Sequence, residues 1–496
     1  MGTNGPRYRS LYEINTRVYL AELARESGRP VSLDDVPDGD LAAWSDAGFD
    51  LIWFLGMWQT GAAGRTVAAS EPEMLAEYRR ALPDFTIADV GGSCFAVQDY
   101  RPHEDFGGEE ALNRLRQRMN DRGLRLILDF VPNHTALDHR WVVEHPEYYV
   151  QGTEAQLAAQ PRNYVRLDYP GGARRLAHGR DPHFGGWTDT LQLNYGDPGL
   201  RHAMIGELRR VASYCDGVRC DMAMLLLPEV FERTWGIAIE PFWPGAIDSI
   251  RREAPNLLFL AEVYWDLEWT LQRQGFDYTY DKRLYDRLRR GDAGSVRAHL
   301  RAGLDFQDRL IRFLENHDED RAAAAFRPEV HRAAATIAFL APGLRFFHYG
   351  QLEGRKTRIP VQLRRGPAEP ADTDLARFYT TLLGVLRDPV LREGEWRLLE
   401  CQPAWDGNWT WDCFVACSWN GSEGRRYLVA VNYADHASQC YVRIPWPDLE
   451  NSGWRLRDQL GPACYYRDGR DLAARGLYLD VGPWTCHIFE AHAGER

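Results

Sequence analysis

Short apolar runs alternate with helical stretches through the first 390 residues, and this order constrains the fold more than any other feature of the chain. Residues 50–56 and 124–131 predict buried strands, and residues 109–122 carry apolar side chains at helical spacing between them. Strands that alternate with helices pair in parallel, because each connection must return along the length of the sheet. At 496 residues the chain is long enough for a large α/β barrel and one smaller domain.

Three acidic residues stand in short motifs at or just after predicted strands. Asp221 ends Gly-Val-Arg-Cys-Asp, Glu262 lies in Leu-Ala-Glu-Val, and Asp318 ends Phe-Leu-Glu-Asn-His-Asp. A fourth motif, Asp-Phe-Val-Pro-Asn-His, runs from Asp129 to His134. A (β/α)8 barrel keeps its active site at the carboxyl ends of its strands. The motif positions therefore predict an α/β fold of the TIM-barrel type with these side chains around one site.

The alternation of strands and helices is interrupted in two places, and after about residue 393 it gives way to a series of short strands. Residues between about 135 and 195 are rich in Pro, Gly, His and aromatics, and residues 57–92 form a second long excursion; both exceed the usual length of a strand-to-helix loop. After about residue 393, short alternating strands separated by turn residues predict an antiparallel β-sandwich. We expect the long excursions to shape a cleft above the barrel.

In their residues and in their order along the chain, the four motifs resemble the signature regions of the α-amylase family of glycoside hydrolases. The resemblance implies a catalytic barrel over residues 1–392, with a small domain inserted after the third strand at about 135–195, and a C-terminal β-sandwich over 393–496. It also implies a retaining α-glycosidase. In that mechanism one carboxylate attacks the anomeric carbon and another donates a proton to the leaving oxygen.

The resemblance assigns roles to the acidic residues and to their neighbours. Asp221 resembles the nucleophile, Glu262 the general acid/base, and Asp318 the third carboxylate, which binds substrate hydroxyls. We expect Arg219, two residues before Asp221 and on the same face of a strand, to keep that carboxylate charged, with Asp129 orienting the arginine. The expected substrate-binding residues are His134, Arg219, His317, Phe95 and Asp99.

Phe95 and Asp99 come from the motif Phe-Ala-Val-Gln-Asp-Tyr. Phe95 stands where the family has a stacking tyrosine, so the aromatic face is kept and the hydroxyl is lost. Asp99 matches an aspartate of the family motif, for which a structural role is the alternative.

Two departures from the family bear on substrate and metal. Met224 and Leu225 stand where many amylases carry Lys-His on the leaving-group side, which weakens the case for a polymer substrate. Gln192 stands where the family often has a calcium-binding aspartate, although Asn133, another common ligand, is present. A tight oxygen site needs several carboxylates, so we expect no cofactor, with calcium as the alternative.

The composition of the chain restricts the classes of binding partner, the chemistry and the cellular compartment that we expect. A net charge of −12 argues against nucleic acid or an anionic membrane as the main partner and suits a neutral ligand. Only Lys282 and Lys356 are lysines, which disfavours Schiff-base chemistry. The N-terminus lacks an apolar signal segment, and no run of 18 apolar residues predicts a membrane helix. The nine cysteines are expected to be free thiols in a reducing compartment, with disulfides or a metal site as alternatives, so we predict a cytoplasmic protein.

The predicted function is hydrolysis of α-glucosidic bonds in short malto-oligosaccharides or related α-glucosides. A transglycosylase or isomerase of the same family is the first alternative, since the chemistry is shared up to the acceptor step. A non-catalytic amylase-like binding protein is the second; such relatives usually lack one of the three carboxylates, and all three are present here. The sequence leaves the oligomeric state open.

Overall fold

A closed barrel of eight parallel strands forms the centre of the protein, as the computed structural model describes it over residues 5–169 and 172–494. Each strand pairs with the next one in the sequence, and the last pairs with the first. The strands are β1 (Ser10–Asn15), β2 (Leu51–Leu55), β3 (Arg125–Phe130), β4 (Gly217–Cys220), β5 (Leu258–Ala261), β6 (Tyr278–Tyr280), β7 (Leu310–Arg312) and β8 (Leu344–His348). The predicted (β/α)8 barrel is confirmed.

Helices surround the barrel, and several begin after a residue whose side chain accepts a hydrogen bond from the first turn. Asp197, for example, accepts a hydrogen bond from the Leu200 amide at the start of the longest helix. Within residues 5–169 and 172–494, no helix is long and apolar enough to cross a membrane. The helices before the C-terminal domain are Thr16–Ser27, Asp38–Asp46, Ala62–Ala68, Pro72–Ala81, Gly108–Asn120, Trp141–Glu144, Glu154–Ala159, Pro198–Tyr214, Pro228–Trp235, Trp243–Glu253, Glu268–Arg273, Lys282–Arg290, Ala293–Leu300, Leu304–Gln307, Ala322–Ala325, Pro328–Leu340, Thr373–Leu386 and Pro389–Glu393.

Two long excursions leave the carboxyl ends of β2 and β3. The first carries the helices Ala62–Ala68 and Pro72–Ala81, and its strand Trp58–Thr60 pairs with Val97–Pro102. The second, called the insertion below, lies between β3 and the helix that starts at Pro198. It contains two antiparallel pairs, His134–Ala136 with Thr190–Gln192 and Tyr164–Tyr169 with Gly172–Ala177. Because both start at the same end of the barrel, they stand over the predicted site.

The C-terminal domain consists of two antiparallel sheets with apolar side chains between them. Its strands are β9 (Glu395–Leu398), β10 (Cys401–Gln402), β11 (Phe414–Asn420), β12 (Arg426–Asn432), β13 (Ser438–Val442), β14 (Gly453–Asp458), β15 (Cys464–Asp468), β16 (Leu477–Val481) and β17 (Cys486–Gly494), and a helix spans Gly469–Arg475. The six-stranded sheet has the order β9-β11-β12-β17-β14-β15, and the other is β10-β13-β16. Trp419 of β11 donates a hydrogen bond to the Leu340 carbonyl at 2.9 Å, which joins this domain to a barrel helix.

Candidate active site

Arg219, near the end of β4, lies at the centre of a group of carboxylates. Its Nη1 donates to Asp221 Oδ1 at 2.7 Å, and its Nη2 lies 2.7 Å from Glu262 Oε2. Asp129, its register partner on β3, is 3.8 Å away. The guanidinium also lies over the rings of Trp53, Phe95 and Tyr280. With only 1% of its side chain exposed, Arg219 holds two predicted catalytic carboxylates from neighbouring strands in fixed positions.

Glu262 is almost fully buried at the end of β5, with 2% of its surface exposed. Its Oε1 accepts a hydrogen bond from the Tyr264 hydroxyl at 2.9 Å, and its Oε2 accepts one from the Met222 amide at 2.7 Å. Burial raises the pKa of Glu262 to about 6, because the charged form loses hydration; Arg219 opposes the shift. A carboxyl group with this pKa can hold a proton and release it near neutral pH.

Asp221 lies one residue beyond β4, and the turn that follows it supports Glu262. The Asp221 amide donates to the Phe130 carbonyl at 2.9 Å, which extends the pairing with β3. Met222 then adopts a left-handed conformation with φ 43°, which costs a non-glycine residue about 1 kcal/mol. That conformation is the one in which its N–H points at Glu262. Burial raises the pKa of Asp221 above its ordinary value, and the charge and hydrogen bond of Arg219 act against this.

Asp318 presents its carboxylate to the cavity with 49% of the side chain exposed. Its Oδ2 lies 3.1 Å from His317 Nε2, and the other ring nitrogen of His317 contacts Glu13 on β1. Burial alone would lower the pKa of His317, but Asp318 and Glu13 raise it well above the usual value. Burial alone would raise the pKa of Asp318, but the imidazolium of His317 lowers it to about 2. Asp318 therefore stays ionised well below neutral pH.

One cavity of about 1150 Å³ joins these groups. Asp221, Glu262 and Asp318 line it together with Phe95 and His134. The Phe95 ring lies 5.3 Å from the His317 ring, and His134 lies 5.1 Å from Trp187. Burial lowers the pKa of His134 to about 4, so this ring is neutral near pH 7. Of the predicted site residues, these five line the cavity, whereas Arg219 and His317 are buried behind them and hold the carboxylates, so the structure does not place either one as a substrate contact.

Asp99 also requires a correction. Its carboxylate bonds Arg210 through Oδ1 and Arg101 through Oδ2, each at 2.8 Å. It does not line the cavity described above, because it lies on the strand Val97–Pro102 beneath the first excursion. Asp99 joins this strand to the helix Pro198–Tyr214, which is the structural alternative that its motif had left open.

Several cavity residues lie outside the motifs. Glu71, Glu73 and Met74 enter from the first excursion, Pro161, Arg162, Phe184, Trp187 and Asp189 from the insertion, and Met222 from the turn after Asp221. Met224 and Leu225 are buried in that turn and do not reach the cavity. Only the length and composition of the two excursions indicated that such residues would exist.

An amide side chain lies where the family resemblance implies calcium ligands. Gln192 Nε2 donates to Asn133 O and Oδ1, both at 3.0 Å, and to Leu193 O at 3.1 Å; its Oε1 accepts from Asn133 Nδ2 at 3.1 Å. Two of the three acceptors are backbone carbonyls, which can only accept, so the orientation of the amide is determined. The oxygens that a cation would need already have a donor. This set of residues does not fit a calcium ion.

The fold and the site together define a TIM-barrel protein with a carboxylate-lined cavity at the carboxyl ends of its strands, where enzymes of this fold act. Residues 90–226 match the family model described as Alpha amylase, catalytic domain. Alpha-amylase 3 of Dictyoglomus thermophilum is 23% identical over 316 residues, which cover 58% of each chain. The trehalose synthase of Thermus thermophilus is 27% identical over 255 residues, which cover 44% of this chain and 24% of that one.

Among solved structures, the maltogenic alpha-amylase AmyB from Thermotoga neapolitana superposes with a TM-score of 0.70 at 18% identity. The match covers 98% of this chain and 99% of that one, which confirms the fold. The chain spans less than two thirds of the length of either of the two relatives compared by sequence. The family match over residues 90–226, the sequence relatives and the fold agree with the motifs, and together they support an α-amylase family glycoside hydrolase.

Proposed function

We propose that the protein is a retaining α-glycosidase that hydrolyses α-glucosidic bonds in short malto-oligosaccharides or related α-glucosides. The observation that carries the proposal is the position of Asp221 and Glu262 on two nitrogens of one guanidinium. Retaining enzymes need their two carboxyl groups about 5–5.5 Å apart, closer than the roughly 6.5–9.5 Å of inverting ones. Asp221 and Glu262 each lie 2.7 Å from a nitrogen of the same guanidinium, so their carboxyl groups are side by side, an arrangement that agrees with the retaining class.

The proposed reaction begins with proton transfer from Glu262 to the glycosidic oxygen. Asp221 attacks the anomeric carbon as that bond breaks, so a β-glycosyl ester forms and the leaving sugar departs with the proton. Water then attacks the same carbon while Glu262, now a carboxylate, removes its proton, and Asp221 is released. The product keeps the α configuration because the carbon has been inverted twice.

The remaining groups would bind the sugar that is cleaved. Asp318 is ionised and half exposed, so it can accept hydrogen bonds from substrate hydroxyls. His317, held between Glu13 and Asp318, positions the Asp318 carboxylate. The neutral His134 can bond further hydroxyls, and Phe95 offers an aromatic face. Bonds of this kind that strengthen as the ring distorts lower the barrier to cleavage.

The residues that line the cavity favour a short substrate over a polymer. Arg162 of the insertion and Glu73 of the first excursion both line the cavity, and their charged groups approach to 3.6 Å. The two excursions therefore meet across part of the opening, which suits a short chain more than a long polymer.

All nine cysteines are free thiols, six of them buried, which supports the proposal of a cytoplasmic protein.

Transfer to a sugar acceptor, as in a transglycosylase or isomerase, is the second candidate. Its support is the similarity to the trehalose synthase, together with walls that leave the cavity only partly open. The chemistry differs only in whether water or a sugar hydroxyl attacks the glycosyl ester. A non-catalytic binding role is disfavoured because all three carboxylates meet in the cavity.

The test is an incubation with maltose, maltotriose to maltoheptaose, isomaltose, trehalose, sucrose and soluble starch, followed by NMR of the anomeric protons. We expect products in the α configuration, and we expect short substrates to be cleaved faster than the internal bonds of soluble starch. Longer or rearranged products would establish the transferase instead. No turnover of any substrate, or a first product in the β configuration, would refute the proposal.

We propose further that no cation is needed between Asn133 and Gln192. Chelation with EDTA should leave both Tm and activity unchanged, because the Gln192 amide already satisfies the local oxygens. The Gln192→Glu variant replaces these donors with a carboxylate, so its Tm should fall and should recover partly on addition of calcium. A wild-type Tm that falls by several degrees in EDTA and recovers with calcium would contradict the proposal.

A further inference from the structure

Asp189 lies in the wall of the cavity, and the proposed mechanism does not use it. Only 4% of its surface is exposed, yet it is one of the residues that line the cavity. Its Oδ2 has no hydrogen-bond partner among residues 5–169 and 172–494. A buried carboxylate oxygen without a donor is unfavourable, and such a group calls for an explanation, of which a missing ligand is one.

The backbone around Asp189 sets its position before any ligand binds. The Trp187 carbonyl accepts hydrogen bonds from the Thr190 amide at 2.9 Å and from its hydroxyl at 2.8 Å, which closes a tight turn around Asp189. On the other side, a Cβ built on Gly64 would lie 3.7 Å from the Asp189 Cβ and 3.6 Å from that of Ala96. Asp189 of the insertion thus lies close to the helix Ala62–Ala68 of the first excursion, and Ala96, next to Phe95, packs against the same glycine.

The charges nearby provide no cation for Asp189. Among the described residues that line the cavity, Arg162 is the one arginine or lysine, and it is paired with Glu73, while His134 is neutral near pH 7. Burial raises the pKa of Asp189 to about 6, as expected for a carboxylate that lacks a charged partner. A neutral hydroxyl donor suits such an oxygen, because it supplies the missing hydrogen bond without a second desolvated charge.

We propose that Asp189 is a specificity-determining residue whose Oδ2 accepts a hydrogen bond from one hydroxyl group of the bound sugar, in the part of the cavity beside Trp187. The inference rests on the proposed function, since it names the substrate contact made by the same cavity. Trp187 is in contact with His134, so the hydroxyl belongs to the sugar that is cleaved or to its direct neighbour. A site built around such a bond rejects an analogue that lacks the hydroxyl.

The test compares maltotriose with a set of its monodeoxy analogues. For the wild type we expect one analogue, missing the hydroxyl that Asp189 binds, to show a kcat/KM at least about tenfold lower than maltotriose. In Asp189→Ala the preference at that position should disappear, while preferences at other positions remain. The change should lie mainly in KM. Asp168→Ala, which removes an exposed carboxylate of the same insertion, is the matched control and should retain every preference.

Two results would overturn the proposal: an equal loss on all analogues with a lowered Tm, which indicates a structural role, or unchanged preferences in Asp189→Ala. If that variant does not fold, Asp189→Asn keeps the shape and one acceptor, and its preference should weaken rather than vanish. Maltotriose binding, measured by calorimetry, separates this inference from the proposed function. Weaker binding by Asp189→Ala than by wild type supports the contact even if wild type proves inactive, and equal binding refutes it.

Discussion

Asp221→Asn should abolish glycoside cleavage, lowering kcat/KM for maltotriose by roughly four orders of magnitude or more. The amide has nearly the shape of the carboxylate but cannot form the glycosyl ester, and it leaves the Arg219 charge without one of its partners. Initial rates on short substrates, followed by NMR of the anomeric protons, measure the loss. Asp320→Asn, at an exposed position two residues beyond Asp318, is the matched control and should retain activity.

A small external anion provides a second readout at this position. In Asp221→Gly the space left by the side chain can admit azide, which should attack α-glucosyl fluoride and give β-glucosyl azide. The fluoride leaves with the bonding electron pair, so the step needs no acid. Residual hydrolysis within tenfold of wild type in Asp221→Asn, or rescue that yields the α-azide, would show that Asp221 is not the nucleophile.

The second large effect is expected for Glu262→Gln. Removing a general acid typically lowers the rate by about 10²–10⁴-fold, and we expect a loss of this size for substrates whose leaving group is a sugar. Formation of the glycosyl ester from α-glucosyl fluoride should be much less affected, since fluoride needs little protonation. A pre-steady-state burst of fluoride measures that step apart from the later hydrolysis. Equal losses on both substrates would contradict the role of Glu262.

The pH dependence follows from the same residue. The active form of Glu262 is protonated, so the kcat/KM of the wild type should fall as pH rises through about 6, where burial places its pKa. At lower pH the rate should fall again as Asp221 takes up a proton, since the nucleophile must be ionised. In the pH profile of Glu262→Gln, the fall in kcat/KM near pH 6 should be absent. If it persists in that variant, another group controls it.

Much of the site could be predicted from local patterns. Strands β2 and β3 lie within the apolar runs that predicted them, because a buried parallel strand needs apolar side chains on both faces. Once the barrel is known, polar residues at the ends of its strands must meet. The convergence of Asp221, Glu262 and Asp318 on one cavity therefore follows from sequence order and the geometry of the barrel.

Asp99 shows where that reasoning fails. A motif gives the identity of a residue and its neighbours along the chain, but the direction of its side chain depends on what packs beside it. Here Arg210, from a helix more than one hundred residues away, pairs with the carboxylate outside the cavity. Glu13 is the opposite case. It stands in an ordinary apolar strand, and only closure of the barrel between β1 and β8 places it beside His317.

The sequence by itself determined the barrel, the C-terminal sandwich and the side chains at the strand ends, because periodic burial and strand order are local properties of the chain. Only the tertiary structure decided which residues surround the side chains at the strand ends. The contact of Glu73 with Arg162, the amide of Gln192 among backbone carbonyls and the unpartnered oxygen of Asp189 all depend on the packing of the two excursions. These segments lack a repeating pattern, and their partners lie far apart in the sequence, so their arrangement follows from three-dimensional contacts alone.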